Sequence, residues 1–226
     1  YTGLMLEAAG HNDAQLQYKR AAIGALDTEN LEQYDVLLLD GLTSVPEFAF
    51  QPIQQFVQNG GGVLFFPSEQ GNLNNYNNLL STLNIGRYAG ILGNYASFES
   101  IARGSNLLED HPAFSGLFER NEQEELRFKS PDIFYYYNVQ PSAGGTGFNL
   151  LSTGSGKPLL HEKRIGQGRV LVSAIGNDPG WSNFPVQPLY APFYYRVILY
   201  AAASDEGGFI THKLGSPFSW TGNISP

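Results

Sequence analysis

The turn Phe66-Pro67-Ser68-Glu69-Gln70-Gly71 comes directly after the apolar run Val63-Leu64-Phe65-Phe66, and it is the first place to look for chemistry. In open α/β sheets, ligands bind outside the carboxyl ends of strands, and a hydroxyl on such a turn stands where a nucleophile elbow would place it. The elbow pattern G-x-S-x-G needs small flanking residues because the backbone there is strained. Around Ser68 the corresponding positions are Phe66 and Gln70. Ser68 therefore reads better as a cap for the next segment. Ser68 and Glu69 remain candidates to contact a ligand at this strand end.

A serine nucleophile needs a base within hydrogen-bond reach. The four histidines are His11, His111, His161 and His212. His111 sits in the loop-like Asp110-His111-Pro112-Ala113-Phe114, and His161 falls within a strand-like run, where a hydrogen-bonded structural histidine is the commoner case. A hydrolase would have to be assembled from Ser68, His161 or His111, and a carboxylate. The histidines show no metal-ligand spacing, so no metal and no cofactor is expected. The absence of cysteine removes thiol nucleophiles, disulfides and thiolate metal sites together.

Three further stretches invite functional readings. Gly60-Gly61-Gly62 precedes a strand, whereas phosphate-cradling glycines come after one and open a helix, so a helix C-cap is the expectation. Phe134-Tyr135-Tyr136-Tyr137 could stack sugars through Tyr135 and Tyr137, or simply line the two faces of an edge strand. Asn177-Asp178-Pro179-Gly180-Trp181-Ser182 sets a tryptophan beside Asp178. Asp178 and Trp181 are ligand-binding candidates; the alternative is a buried Trp181 that anchors its loop onto the last helix.

These positions are held by an alternation of strands and helices. Asp35–Asp40 and Val63–Phe66 are continuous apolar runs of the kind buried on both faces of a parallel sheet. Between them a helix opens at Val45-Pro46-Glu47 with Phe48, Ile53, Phe56 and Val57 on one stripe. A second helix covers Asn74–Leu83, and a third covers Pro188–Ala203. Gln15–Ile23 fits a strand or a helix equally well, and Tyr1–Gly10 reads as a helix. Arg87–Ile101 and Asp132–Val139 look like strands outside the parallel core. Leu159–Arg164 and Arg169–Ile175 flank Gly166-Gln167-Gly168, which predicts a hairpin. The strand–helix order predicts a three-layer α/β sandwich.

With 226 residues the chain is long enough for one large core, and its net charge of −8 argues against a nucleic-acid partner. No apolar run reaches the roughly 20 residues of a membrane helix. The expected division is a domain over residues 1–203, with 204–226 a linker and the start of a further segment, including the strand-like 209–214. The chain reads as a piece of a longer protein.

Several motifs taken in order carry a resemblance: Tyr34-Asp35-Val36-Leu37-Leu38-Leu39-Asp40-Gly41, Phe56-Val57-Gln58-Asn59-Gly60-Gly61-Gly62-Val63-Leu64 and Tyr76-Asn77-Asn78-Leu79-Leu80. Asp110-His111-Pro112-Ala113-Phe114, Gly166-Gln167-Gly168-Arg169-Val170-Leu171 and Asp178-Pro179-Gly180-Trp181-Ser182-Asn183-Phe184-Pro185 complete the set. Together they resemble the class I glutamine-amidotransferase-like domain of bacterial BatA-like proteins, which carry paired N-terminal transmembrane helices. The resemblance implies a flavodoxin-like sandwich with a mainly parallel sheet and an added antiparallel hairpin. It also implies a membrane-anchored protein, displayed on the periplasmic side, with envelope or membrane proteins as partners. Amidotransferases of this class use a Cys nucleophile and a His-x-Glu pair; this chain has no Cys, and His161-Glu162 lacks the intervening residue. The expectation is a non-catalytic binding or assembly module whose partners include a small polar ligand or a glycan. The fragment itself is not expected to touch the membrane.

Overall fold

The structure is a computed structural model, and it describes residues 3, 6, 16–115, 117–118, 128–144 and 146–203. Strand β1 (Val36–Leu42) leads through a 3-10 turn at Glu47–Ala49 into α1 (Phe50–Gln58), and β2 (Gly62–Pro67) into α2 (Leu73–Thr82). Then come β3 (Gly86–Gly93), β4 (Ala102–Leu107), β5 (Asp132–Ile133), β6 (Tyr135–Pro141), β7 (Gly147–Thr153), β8 (Pro158–Ile165), β9 (Gly168–Ser173) and α3 (Tyr190–Ala202).

Seven strands form one sheet in the order β1-β2-β9-β8-β7-β4-β5, and β3 pairs with β6 in a separate ribbon. β1, β2 and β9 run parallel, with Leu38 opposite Leu64 and Leu64 opposite Leu171. Beyond β9 every pairing is antiparallel. The sheet is thus mixed, with parallel order confined to its three-stranded core, and the expectation of a mainly parallel sheet is corrected to that extent. The reason is the hairpin. It forms as expected, with His161 opposite Val172 and Ile165 opposite Gly168. But β9 is itself the third parallel strand, so the hairpin is the point where the sheet changes direction, not an appendage.

All six residues of β2 are buried, which makes it the spine of the core. Alternation sends Phe65 to one face, where its ring meets Tyr76 of α2 at 4.9 Å, and Phe66 to the other, where it meets Tyr194 of α3 at 5.1 Å. Tyr88 and Tyr137 of the β3–β6 ribbon pack on the Phe65 side, their rings 5.0 Å apart. Helices and the ribbon therefore sandwich the sheet. Each fully buried large side chain here contributes about 1.5–3 kcal/mol relative to exposure.

Helix positions follow the apolar periodicity, with local corrections. In α1 the stripe is Phe50, Ile53, Phe56 and Val57, while Phe48 stays half exposed because it falls in the 3-10 turn before the helix. Tyr76, Leu79, Leu80 and Leu83 are buried as expected. Gly60, at φ 110°, ends α1, with Gly60 and Gly61 donating to the carbonyls of Val57 and Phe56, so the glycine run is a C-cap. Leu16–Ala22 is neither strand nor helix; only Ile23–Ala25 forms a 3-10 turn. Of Tyr1–Gly10 only Gly3 and Leu6 are described, both helical, and 204–226, with the strand-like 209–214, lies outside the described residues. Among the described residues no helix is long and apolar enough to cross a membrane.

Candidate functional site

The three parallel strands all point their carboxyl ends at one cavity of about 190 Å³. It is lined by Asp40 and Gly41 from β1, Pro67, Ser68 and Glu69 from the end of β2, and Asn177, Asp178 and Trp181 from the loop after β9. Ser68, Glu69, Asp178 and Trp181, the four ligand-binding candidates of the sequence, thus line one wall system. Asp40, Gly41 and Asn177 were missed. The signal for Asp40 was available, because it ends an apolar strand just as Ser68 does.

The Ser68 hydroxyl lies 3.4 Å from Glu69 Oε2 and accepts from the Gln70 N–H at 3.3 Å. The Ser68 backbone is pinned on both sides, its N–H donating to Tyr76 Oη at 3.0 Å and its carbonyl accepting from Tyr137 Oη at 3.0 Å. Tyr76 Oη in turn donates to the Leu42 carbonyl, which ties the ends of β1 and β2 together. Asn177 Nδ2 donates to Asp40 Oδ1 at 3.0 Å, and Tyr190 Oη donates to Asn177 Oδ1 at 3.0 Å. Desolvation raises the Asp40 carboxyl above its ordinary value, although the Asn177 donor works against this. Asp178 Oδ1 accepts from the Gly180 N–H at 2.8 Å and from Tyr95 Oη at 2.9 Å.

Neither histidine candidate reaches this cavity. His161 is buried on β8, with Nδ1 2.7 Å from Asn149 Oδ1. Burial pushes its imidazole down to about 4, with the Lys163 ammonium acting in the same direction, so it is neutral near pH 7. His111 Nδ1 accepts from the Ala113 N–H at 3.3 Å, which places the proton of the neutral ring on Nε2. That nitrogen lies 3.3 Å from Glu162 Oε2. The other oxygen, Glu162 Oε1, accepts from Tyr200 Oη at 2.8 Å, and Arg169 stands over the Tyr200 ring at 4.5 Å. The two histidines serve separate buried clusters, and among the described residues the Ser68 hydroxyl has no histidine as a hydrogen-bond partner.

The aromatic candidates are placed differently from the open-platform expectation. Phe134, Tyr135, Tyr136 and Tyr137 are all buried, because the ribbon packs on the sheet and its far end is covered by the loop after β9. Trp181 is buried too, as one of the two readings expected. Its ring packs on Tyr135, Tyr137 and Tyr95, at ring distances of 4.7, 5.6 and 6.3 Å, while the tie from this loop to α3 is the Tyr190–Asn177 hydrogen bond. Among the described residues no group of three or more His, Asp and Glu side chains is arranged to hold a metal ion. Chemically, the cavity is a wall of hydrogen-bond acceptors with a serine hydroxyl and an amide. Among the described residues no Lys or Arg lines it.

No family model matches the chain, and no curated protein matches it. Solved structures do share its fold. A putative ThuA-like protein from Bacteroides uniformis superposes with a TM-score of 0.65 at 12% identity, covering 92% of this chain and 85% of its own. Cytoplasmic protein STM3548 from Salmonella typhimurium gives 0.58 at 20% identity, covering 83% of this chain and 77% of its own. Cytoplasmic protein STM1381 from Salmonella typhimurium LT2 gives 0.57 at 19% identity, with coverages of 74% and 72%. At these identities the likeness is one of α/β architecture.

Proposed function

We propose that this chain is a non-catalytic, glutamine-amidotransferase-like binding module that holds a small polar ligand in the cavity at the carboxyl ends of β1, β2 and β9. A flavodoxin-like assignment is supported by the ThuA-like neighbour, itself of class I glutamine-amidotransferase-like fold. The single observation that carries the inert reading is the environment of Ser68. It occupies the turn after a core strand, yet its hydroxyl is held by Glu69 and the Gln70 N–H. Without a histidine base, the Ser–His pair that would activate this hydroxyl is missing. The hydrolase alternative, with Ser68 and His161 or His111, finds no support in this geometry.

In the wider protein the module belongs, on the resemblance of its motifs, to a membrane-anchored envelope protein, facing the periplasm and assembling with other envelope proteins. The test is ammonia release from glutamine by the purified chain and by a Ser68→Ala variant. The reading expects no release above buffer from either. Release that disappears in Ser68→Ala would overturn it.

A further inference from the structure

The loop between β3 and β4 supplies a residue that neither the strand-end rule nor the motifs single out. Tyr95 is 42% exposed at the rim of the cavity. Its hydroxyl donates to Asp178 Oδ1 at 2.9 Å, and its ring packs edge-on against Trp181 and Tyr135 at 6.3 and 6.1 Å. The Ala96 N–H donates to the Gly180 carbonyl at 2.9 Å, fastening the loop to the cavity's own wall. A side chain at Gly180 would run into the Tyr95 ring, so the two loops meet in full contact. Ala96 and Phe98 both hold φ at 57°, a left-handed conformation that non-glycine residues adopt only where their surroundings hold them in it. Tyr95 is thus a held, outward-facing aromatic surface beside a wall of acceptors.

Resting on the binding-module reading above, we propose that the ligand is a polyhydroxylated ring compound of monosaccharide size, and that Tyr95 contacts it. The cavity wall matches such a molecule. Asp40, Glu69 and Asp178 accept hydrogen bonds from hydroxyl groups, and Ser68 can donate or accept. With Tyr95 and Gly180 both directed at Asp178 Oδ1, the other oxygen of that carboxylate has no bond from either. The exposed Tyr95 ring offers an apolar face to the C–H surface of a sugar ring. A volume of about 190 Å³ is of the size of one sugar ring. The aromatic platform is therefore Tyr95 at the rim and not the buried Tyr135, Tyr137 or Trp181.

The experiment is an NMR titration of the full chain with galactose, glucose and mannose, and separately with glutamine. It tracks the indole N–H of Trp181, assigned against Trp220 with a Trp220→Phe variant. The proposal expects saturable shifts with at least one sugar. Tyr95→Ala should weaken that binding at least tenfold, and Tyr95→Phe, which keeps the ring, about threefold, with the melting temperature of Tyr95→Phe close to that of the parent. Sugar binding unchanged in Tyr95→Ala would overturn the role of Tyr95. Saturation by glutamine but by none of the sugars would overturn the ligand class while leaving the binding module intact. No saturation by any probe would count against both.

Discussion

The cavity around Asp40, Ser68 and Asp178 and the buried cluster around Glu162 draw on the same kinds of residue at opposite ends of the parallel strands. At the carboxyl ends, three carboxylates stand around an opening, and their hydrogen-bond partners are neutral donors, Asn177, Tyr95, Ser68 and a backbone N–H, with Arg20 acting on Asp40 only through space. At the amino ends, Glu162 is 1% exposed and is closed in by His111, Tyr200 and the nearby Arg169. Arg169 also donates to the carbonyls of Tyr200 and Ala203, the last turn of α3, where a cation is favoured. One set of polar groups is left facing space; the other is used to join β8, β9, α3 and the Pro112–Phe114 turn. A histidine beside a carboxylate suggests catalysis from sequence alone. Here that pairing is found in the closed cluster, and the open one has no histidine.

The comparison can be strained first by removing the ring that lies beneath the cavity. Trp181→Ala should cost about 4 kcal/mol, because a fully buried indole leaves a void among Tyr95, Tyr135 and Tyr137. In a domain of this size that is roughly 8–16 °C of melting temperature. Glu162→Ala comes next, at about 3 kcal/mol, since it removes the carboxylate that His111, Tyr200 and Arg169 surround. Urea unfolding would read both. A Glu162→Ala loss below about 1 kcal/mol would mean the cluster does not hold the fold together.

Acid should act on the buried histidines, chiefly on His161, which lies in a cluster separate from that of Glu162. His161 is held at about 4 in the folded chain against 6.5 when free, so the unfolded state takes up its proton first as pH falls. Its contribution is complete above about pH 6.5 and is lost as pH drops towards 4, on the order of 2–3 kcal/mol. His111, lowered by burial and by Arg169, acts in the same sense. Glu162, raised by burial, acts in the opposite sense. His161→Asn should flatten the acid limb of a stability–pH curve. The smallest effects belong to the open cavity. Ser68→Ala and Asp178→Asn should each shift unfolding by under about 1 kcal/mol, because neither removes a large buried group.

The core strands and the convergence of Ser68, Glu69, Asp178 and Trp181 were legible because each rests on local pattern. Continuous apolar runs mark β1 and β2, and the turns at the carboxyl ends of such strands are where a ligand site is expected. The hairpin was legible from Gly166, which takes φ 62° at the turn. The partners of Glu162 were not, because His111, Arg169 and Tyr200 come from three elements whose meeting depends on the complete sheet order. Tyr95 was hidden for a related reason. It lies on an irregular loop whose position is set by Asp178 and Gly180, more than eighty residues away in sequence. The direction change at β9 was equally hidden, since a buried strand has the same composition whichever way its neighbour runs.

The central claim is that Ser68 has no histidine base and that the histidines serve the fold. Proton NMR of the imidazole rings against pH tests it most directly, in the parent chain and in Ser68→Ala. The account predicts that the His161 ring stays neutral from pH 8 down to about pH 5.5, and that replacing Ser68 leaves its resonances unmoved. A His161 or His111 titration centred near the ordinary 6.5 that shifts when Ser68 is replaced would show a serine–histidine couple and contradict the account.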